Sequence, residues 1–225
     1  MLDFASARHN MVQCQLRPNH IANPHIIQMM STVCREYFLE DAQKMQAYLD
    51  HPIALGAGRF LPSCVVIGQL LELAFAKPRE QVLLVGEPCG YVAALMSGLA
   101  EMVFVVEPDH TFADHAKAKL AHSAFSNIRF VQAGLEDGYA REAPYDAILV
   151  PAGCDKLAPA LAGQIANGGI AVFIKTQDIS RDPDQQSLAC LTAVECHAGS
   201  LSEKIIGECF AYKLPELTQP AEFRF

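Results

Sequence analysis

QVLLVGEPCGYVAALMSGLAEMVFVVE, residues 81–107, decides the fold. An apolar run at 82–85 passes into a turn holding Gly86 and Gly90, a helical stretch starts at Tyr91, and a second apolar run at 103–106 ends on Glu107. Continuous apolar runs of this kind suit strands buried on both faces. Strand, glycine turn, helix, strand is the unit of a parallel, doubly wound sheet, in which ligands sit beyond the carboxyl ends of the strands. Gly86 occupies that place. Glu107 lies 21 residues further on, where an acid commonly accepts hydrogen bonds from ribose hydroxyls. The competing reading is a structural glycine turn beside an exposed strand-end Glu, as in α/β folds without nucleotides.

Outward from this unit the rhythm continues. After Lys77-Pro78 the chain alternates apolar and helical runs: a helix over 111–121, IRFVQ, AILVP, a helix over 157–165, a turn at Gly168-Gly169, and IAVFI. The stretches 188–196 and 205–214 are expected to form an antiparallel hairpin at the sheet edge. The fold class is therefore α/β: a Rossmann-like, doubly wound, mostly parallel sheet with an antiparallel edge hairpin. Residues 1–78 read as an N-terminal helical cap and residues 79–225 as the core. The cap's first helix runs over 2–16 and stops at Arg17-Pro18; the second opens on Asn23-Pro24 as N-cap and N1. Residues 48–62 are rich in proline and glycine and read as irregular, and 65–75 as a third helix.

A chain of 225 residues, 51% hydrophobic, supports one sizeable core. Its net charge of −8, without a basic block, argues against a nucleic-acid partner. No apolar run reaches the ~20 residues a bilayer needs, and the start is polar, so no membrane partner and a cytoplasmic location are expected. Eight cysteines show no CxxC spacing, so most read as core thiols rather than metal ligands, Cys190 and Cys196 sharing one sheet face. Cys89 reads as a packing residue too, because a neighbouring Glu87 opposes its ionisation.

GxGxxG is absent: position 88 is Pro and the residue three after Gly90 is Ala93. NAD is disfavoured, and a cofactor without a pyrophosphate fits better. NMVQCQLRPN, REYF at 35–38, GRF at 58–60, the VLLVGEPCGY loop, VVE, AGLEDGY through PYDAILVPAG, GGIAVFI, FAYKLPEL and a closing FRF follow in order. Over nearly the whole chain this resembles the protein-L-isoaspartate O-methyltransferases, and particularly a divergent bacterial branch of them. The resemblance implies S-adenosylmethionine as cofactor and a protein or peptide as substrate. It places Gly86, Glu87, Gly90 and Tyr91 at the cofactor loop, Glu107 at the ribose, and Gly134 and Leu135 at the adenine, with Asp146 in the fourth-strand motif. It assigns no catalytic residue and no metal.

The chain also departs from the family pattern. Leu84 stands where an Asp or Glu is usual and Pro88 where a glycine is usual, so a contact to the cofactor's ammonium is missing; Glu87 either replaces it or repels the cofactor's carboxylate. In GRFLPSC, Phe60 and Pro62 fall where the better-known enzymes carry hydroxyls, and Ser63 is out of register. Two readings follow: a methyltransferase acting on a carboxylate with weakened cofactor binding, or an inactive protein of the same fold serving as an interaction module. The first requires an open hollow facing Glu107 past the bend at Pro88.

Overall fold

The computed structural model describes residues 3–121, 125–176 and 186–217; the closing FRF lies outside them. Strands β3 (Arg79–Val85), β4 (Ala100–Val106), β5 (Ile128–Val131), β6 (Tyr145–Cys154), β7 (Ile165–Thr176), β8 (Ser187–His197) and β9 (Ser200–Ala211) form one sheet in the order β5-β4-β3-β6-β7-β8-β9. The first five of these pair in parallel, and β8 and β9 are antiparallel. The order reverses at β3, so the crevice beyond β3 and β6 is the topological switch point of the sheet. Two short strands before the sheet, β1 (Ile53–Gly56) and β2 (Arg59–Leu61), make a separate antiparallel hairpin.

Side-chain alternation divides the core. Val82, Leu84, Val103 and Val105 face one layer; Leu83, Val85, Phe104 and Val106 face the other. The first layer holds α3 (Cys64–Ala74), α4 (Tyr91–Ser97) and the N-terminal helices, so apolar residues from Met11 to Ala211 share one cluster. The second is thinner, built on Leu135, Tyr145, Leu161, Phe173 and Leu214.

The N-terminal helices form, and the expected cap at Asn23 is in place. Asp3 caps α1 (Phe4–Met11), which continues through a π-helical turn and a 3-10 turn to His20 at φ 63°. The Asn23 side chain accepts from the His25 N–H at the start of α2 (Pro24–Thr32). Glu72 of α3 fastens this segment by accepting the N–H groups of Ala22 and Asn23, each at 2.6 Å. Asp109 caps α5 (His110–Leu120).

Two expectations fail. Residues 48–62 are not irregular throughout: they contain the β1–β2 hairpin, whose turn takes positive φ at Gly56, Ala57 and Gly58. The helix expected over 157–165 is one turn, α6 (Pro159–Ala162), because Gly163 ends it and Ile165 already pairs with Tyr145 as β7 begins. Gly168, at φ 77°, then sits inside β7 as an irregularity.

Outer strand β9 has no neighbour beyond it among the described residues, and Leu201, Ile205, Ile206 and Phe210 are exposed along it. Its pairing with β8 slips by one residue between Ile205 and Gly207, a bulge that twists the edge. Among the described residues no helix is long and apolar enough to cross a membrane.

Candidate functional site

Gly86 ends β3 at φ 74°, a conformation that favours glycine, and its N–H donates to the Val106 carbonyl at 3.0 Å. This bond locks the end of β3 to the end of β4 and brings Gly86 beside Glu107. Glu107 Oε1 accepts from the Asp109 N–H at 3.1 Å, which fixes the carboxyl at the entry to α5. The side chain points inward as the sequence implies. It does not, however, face an open hollow.

Arg59, the first residue of β2, fills that space. Its Nη2 donates to Glu107 Oε1 at 3.1 Å and to Glu216 Oε1 at 3.2 Å, with the Arg59 side chain 4% exposed and that of Glu107 fully buried. A side-chain carbon placed on Gly86 would meet Leu214 Cδ2 at 3.1 Å, Arg59 Nη1 at 3.5 Å and Leu135 Cδ1 at 3.7 Å. The hollow is thus occupied by the ends of three side chains rather than by backbone. Arg59 Nη1 and Glu107 Oε2 are buried without a hydrogen-bond partner among the described residues. Burial pushes the Glu107 carboxyl above its ordinary range, and the Arg59 guanidinium opposes that shift.

The other implied site residues disperse. Glu87 is completely buried and turned into its own loop: Oε2 accepts from the Gly90 N–H at 2.6 Å, and Oε1 from the Cys89 thiol at 3.1 Å and the Cys89 N–H at 3.4 Å. It sits at the N-terminus of α4, satisfying N–H groups an anionic ligand would otherwise take. Glu87 therefore neither reaches toward an ammonium nor lines the hollow. Burial raises its pKa, and burial reinforced by the Glu87 charge holds the Cys89 thiol well above the usual range. Tyr91 is a core residue of the cap side: its ring lies 5.2 Å from the Arg35 guanidinium carbon and edge-on to Phe38.

Gly90, at φ 93°, presents its bare α-carbon to α5, where a side chain would meet Ala116 backbone at 3.3 Å. It permits two helices to approach rather than a ligand. The Gly134 carbonyl accepts the N–H groups of Asp137 and Gly138, so Gly134 shapes the turn that delivers Leu135 to the hollow. Asp146 lies at the opposite end of the sheet, accepting from the N–H groups of Glu80 and Gln81. Leu84 is buried in the cap-side core, in register with Val105 and Leu149. Ser63 accepts from the Val66 N–H as N-cap of α3. Of the residues named from the sequence, Gly86, Glu107 and Leu135 border one hollow.

Sequence reasoning missed Arg59 and the segment behind it. The Gly153 N–H donates to the Tyr212 carbonyl at 3.1 Å and the Leu214 N–H to the Gly153 carbonyl at 2.8 Å, docking residues 212–217 against the end of β6. Phe60 stacks on Tyr212 with ring centroids 3.6 Å apart. Between hairpin, loop and C-terminal segment lies a narrow cleft of about 20 Å³, bounded by Arg59, Phe60, Pro88, Gly153 and Tyr212. The signal available in the sequence was the GRF triplet after a glycine-rich turn, since an arginine between a turn and an apolar pair is a candidate for an inward-facing charge.

A nucleoside ligand fits this arrangement at one end. Glu107 has the chemistry and position to accept ribose hydroxyls once Arg59 leaves it, and Gly86 lets a ligand approach the backbone. At the amino-acid end neither the apolar Leu84 nor the inward-turned Glu87 offers an ammonium a carboxylate.

The chain matches the family model described as protein-L-isoaspartate(D-aspartate) O-methyltransferase over residues 7–189. It is 32% identical to a protein-L-isoaspartate O-methyltransferase of Koribacter versatilis, over 92% of this chain and 89% of that one. A protein named protein-L-isoaspartate O-methyltransferase 2 from Marinobacter nauticus is also 32% identical, over 84% and 85% of the two chains. Among solved structures, a protein-L-isoaspartate O-methyltransferase shares the fold at TM-score 0.78 and 20% identity, over 94% of this chain and 67% of that one. A second from Plasmodium falciparum, described as a putative protein-L-isoaspartate O-methyltransferase in complex with S-adenosyl-L-homocysteine, does so at TM-score 0.74 and 15% identity, over 96% and 100%. With a match spanning most of its length and relatives at this identity, the chain belongs to the protein-L-isoaspartate(D-aspartate) O-methyltransferase family.

Proposed function

We propose that this protein is an S-adenosylmethionine-dependent methyltransferase acting on a carboxylate of a protein or peptide, of the isoaspartyl type its relatives are named for. The observation that carries the reading is Glu107, fixed by the Asp109 N–H beside Gly86 at the switch point of the sheet. When bound, S-adenosylmethionine supplies an electrophilic sulfonium methyl group. A carboxylate is ionised at neutral pH, so the protein needs no base: it has to hold the acceptor in line and keep water out. With the cofactor held by Gly86 and Glu107, an acceptor carboxylate would take the methyl group on oxygen while the S–CH3 electron pair would remain on sulfur, leaving a neutral ester and a thioether. Gly86 and Glu107 hold the nucleoside side, while the β1–β2 hairpin and residues 212–217 wall the acceptor side.

A second reading, an inactive interaction module, is favoured by the Arg59–Glu107 pair and by Leu84, which leave the hollow filled and without an anion for the ammonium. Titration calorimetry with S-adenosylmethionine and S-adenosylhomocysteine separates the two. Heat of binding at micromolar ligand, with transfer of labelled methyl to an isoaspartyl peptide and none to its aspartyl counterpart, is the expected result. Absence of binding at millimolar ligand overturns the transferase reading in favour of the module.

A further inference from the structure

Arg59 is awkward for a ligand that needs Glu107, yet the surface it borders is one an anion would seek. The charged side chains lining the cleft are Arg59 and Lys213, both cations. Among the described residues no carboxylate lines it, although the chain as a whole carries a net charge of −8. Lys213 stands 3.7 Å from Asp155 at the cleft's far side. Arg59 lies deeper, its Nη2 shared between two glutamates while Nη1, buried without a hydrogen-bond partner among the described residues, borders the same space. The walls beside it are apolar: the stacked Phe60 and Tyr212, and Pro88. Its Nη2 is taken by the two glutamates, but Nη1 is left over at the edge of an otherwise apolar cleft, and a guanidinium so placed can turn its planar fork to the two oxygens of a further carboxylate.

We propose that Arg59 is the residue that recognises the acceptor carboxylate, and that it is held on Glu107 until a nucleoside ligand displaces it. This rests on the transferase reading above and adds to it a specificity residue and an order of binding. Without ligand, Arg59 closes the hollow by pairing with Glu107 and Glu216. A ribose that takes the Glu107 oxygens releases the guanidinium, which turns into the cleft it already borders, where Phe60 and Pro62 offer no hydroxyl. The acceptor is then bound as its anion. Methylation removes the charge that Arg59 holds, so the ester product loses its anchor and departs.

The coupling is reciprocal: if the nucleoside ligand strengthens acceptor binding by some factor, the acceptor strengthens nucleoside binding equally. The experiment is calorimetry with S-adenosylhomocysteine and an isoaspartyl peptide, each titrated alone and in the presence of the other, on the wild type, Arg59→Gln and Arg59→Lys. One charge-assisted contact corresponds to about tenfold or more in affinity. In the wild type the peptide is expected to bind about tenfold tighter with S-adenosylhomocysteine present. In Arg59→Gln, S-adenosylhomocysteine binds several-fold tighter than in the wild type, because its competitor for Glu107 is weaker, and the coupling falls to near onefold. Arg59→Lys retains part of the coupling, and the methyl-esterified peptide binds wild type and Arg59→Gln alike. Cooperative melting of each variant above the temperature of the titration confirms that it is folded, even where its midpoint falls below that of the wild type.

Coupling that survives in Arg59→Gln, or S-adenosylhomocysteine binding that weakens in it, overturns the proposal while leaving the transferase reading standing. Binding to Arg59→Gln with none to the wild type rejects the transferase reading for the native chain and supports the pairing of Arg59 with Glu107 as the obstruction. No binding to either overturns both.

Discussion

Glu107→Ala is expected to lower the unfolding free energy by about 3 kcal/mol at pH 7, because it leaves a buried arginine without its inner counter-charge. The Arg59 side chain is 4% exposed and its Nη2 is held by Glu107 and Glu216. Breaking a buried pair from one side costs roughly 3 to 5 kcal/mol. The lower figure applies here since Glu216, half exposed, remains as a partner through which the guanidinium can turn toward water. Urea unfolding at constant m-value measures the effect. Removing both charges together, as Arg59→Met with Glu107→Leu, is expected to return most of the lost stability, since two matched apolar side chains need no solvation. A loss under about 1 kcal/mol in the single variant means that the pair does not form in solution.

Leu84→Asp is expected to cost more, and it will not restore a cofactor contact. The family pattern has an acid at this position, which makes the substitution an obvious attempt at repair. Leu84 is fully buried on the cap-side face of β3, in register with Val105 and Leu149, among apolar residues of α3 and α4. Losing the leucine volume alone costs about 3 kcal/mol, as Leu84→Ala measures directly. Aspartate adds the burial of a carboxylate in apolar surroundings, for a total of about 4 kcal/mol or more.

The excess of Asp over Ala carries a pH signature. Burial raises the folded-state pKa of such a carboxyl above its unfolded value of about 3.9, so the folded state binds the proton more tightly. Stability is then lost as pH rises through that window and recovered as it falls. The gap between the Leu84→Asp and Leu84→Ala unfolding midpoints should narrow toward pH 4. A gap independent of pH would mean that the aspartate finds a cationic partner.

The sheet was legible because its parallel strands are buried on both faces and so read as unbroken apolar runs, of which VLLV and VFVV are the clearest. The cap at Asn23 was legible for a different reason: a short polar side chain bonds within its own turn, and the sequence holds both partners. The β1–β2 hairpin escaped because strands of four and three residues carry too little alternation to stand out from a glycine-rich loop. Within the site, residue type was legible and direction was not. Glu87 is an acid in the right loop, yet the buried N–H groups of Cys89 and Gly90 are nearer partners than any ligand. Arg59 meets Glu107 across 48 residues of sequence, and a pairing of that span is settled by the folded chain rather than by local pattern.

Outer strand β9 has a practical consequence. Its uncovered isoleucines and Phe210 are interleaved with Glu203, Lys204 and Glu208, and the chain as a whole is strongly acidic. Nothing among the described residues covers this rim, so mutual repulsion between acidic copies is what opposes its meeting another. Such repulsion fades as ions are added. Concentrated stocks will keep best in dilute buffer well above the isoelectric point, and brine or mild acid will bring the molecules together along this rim.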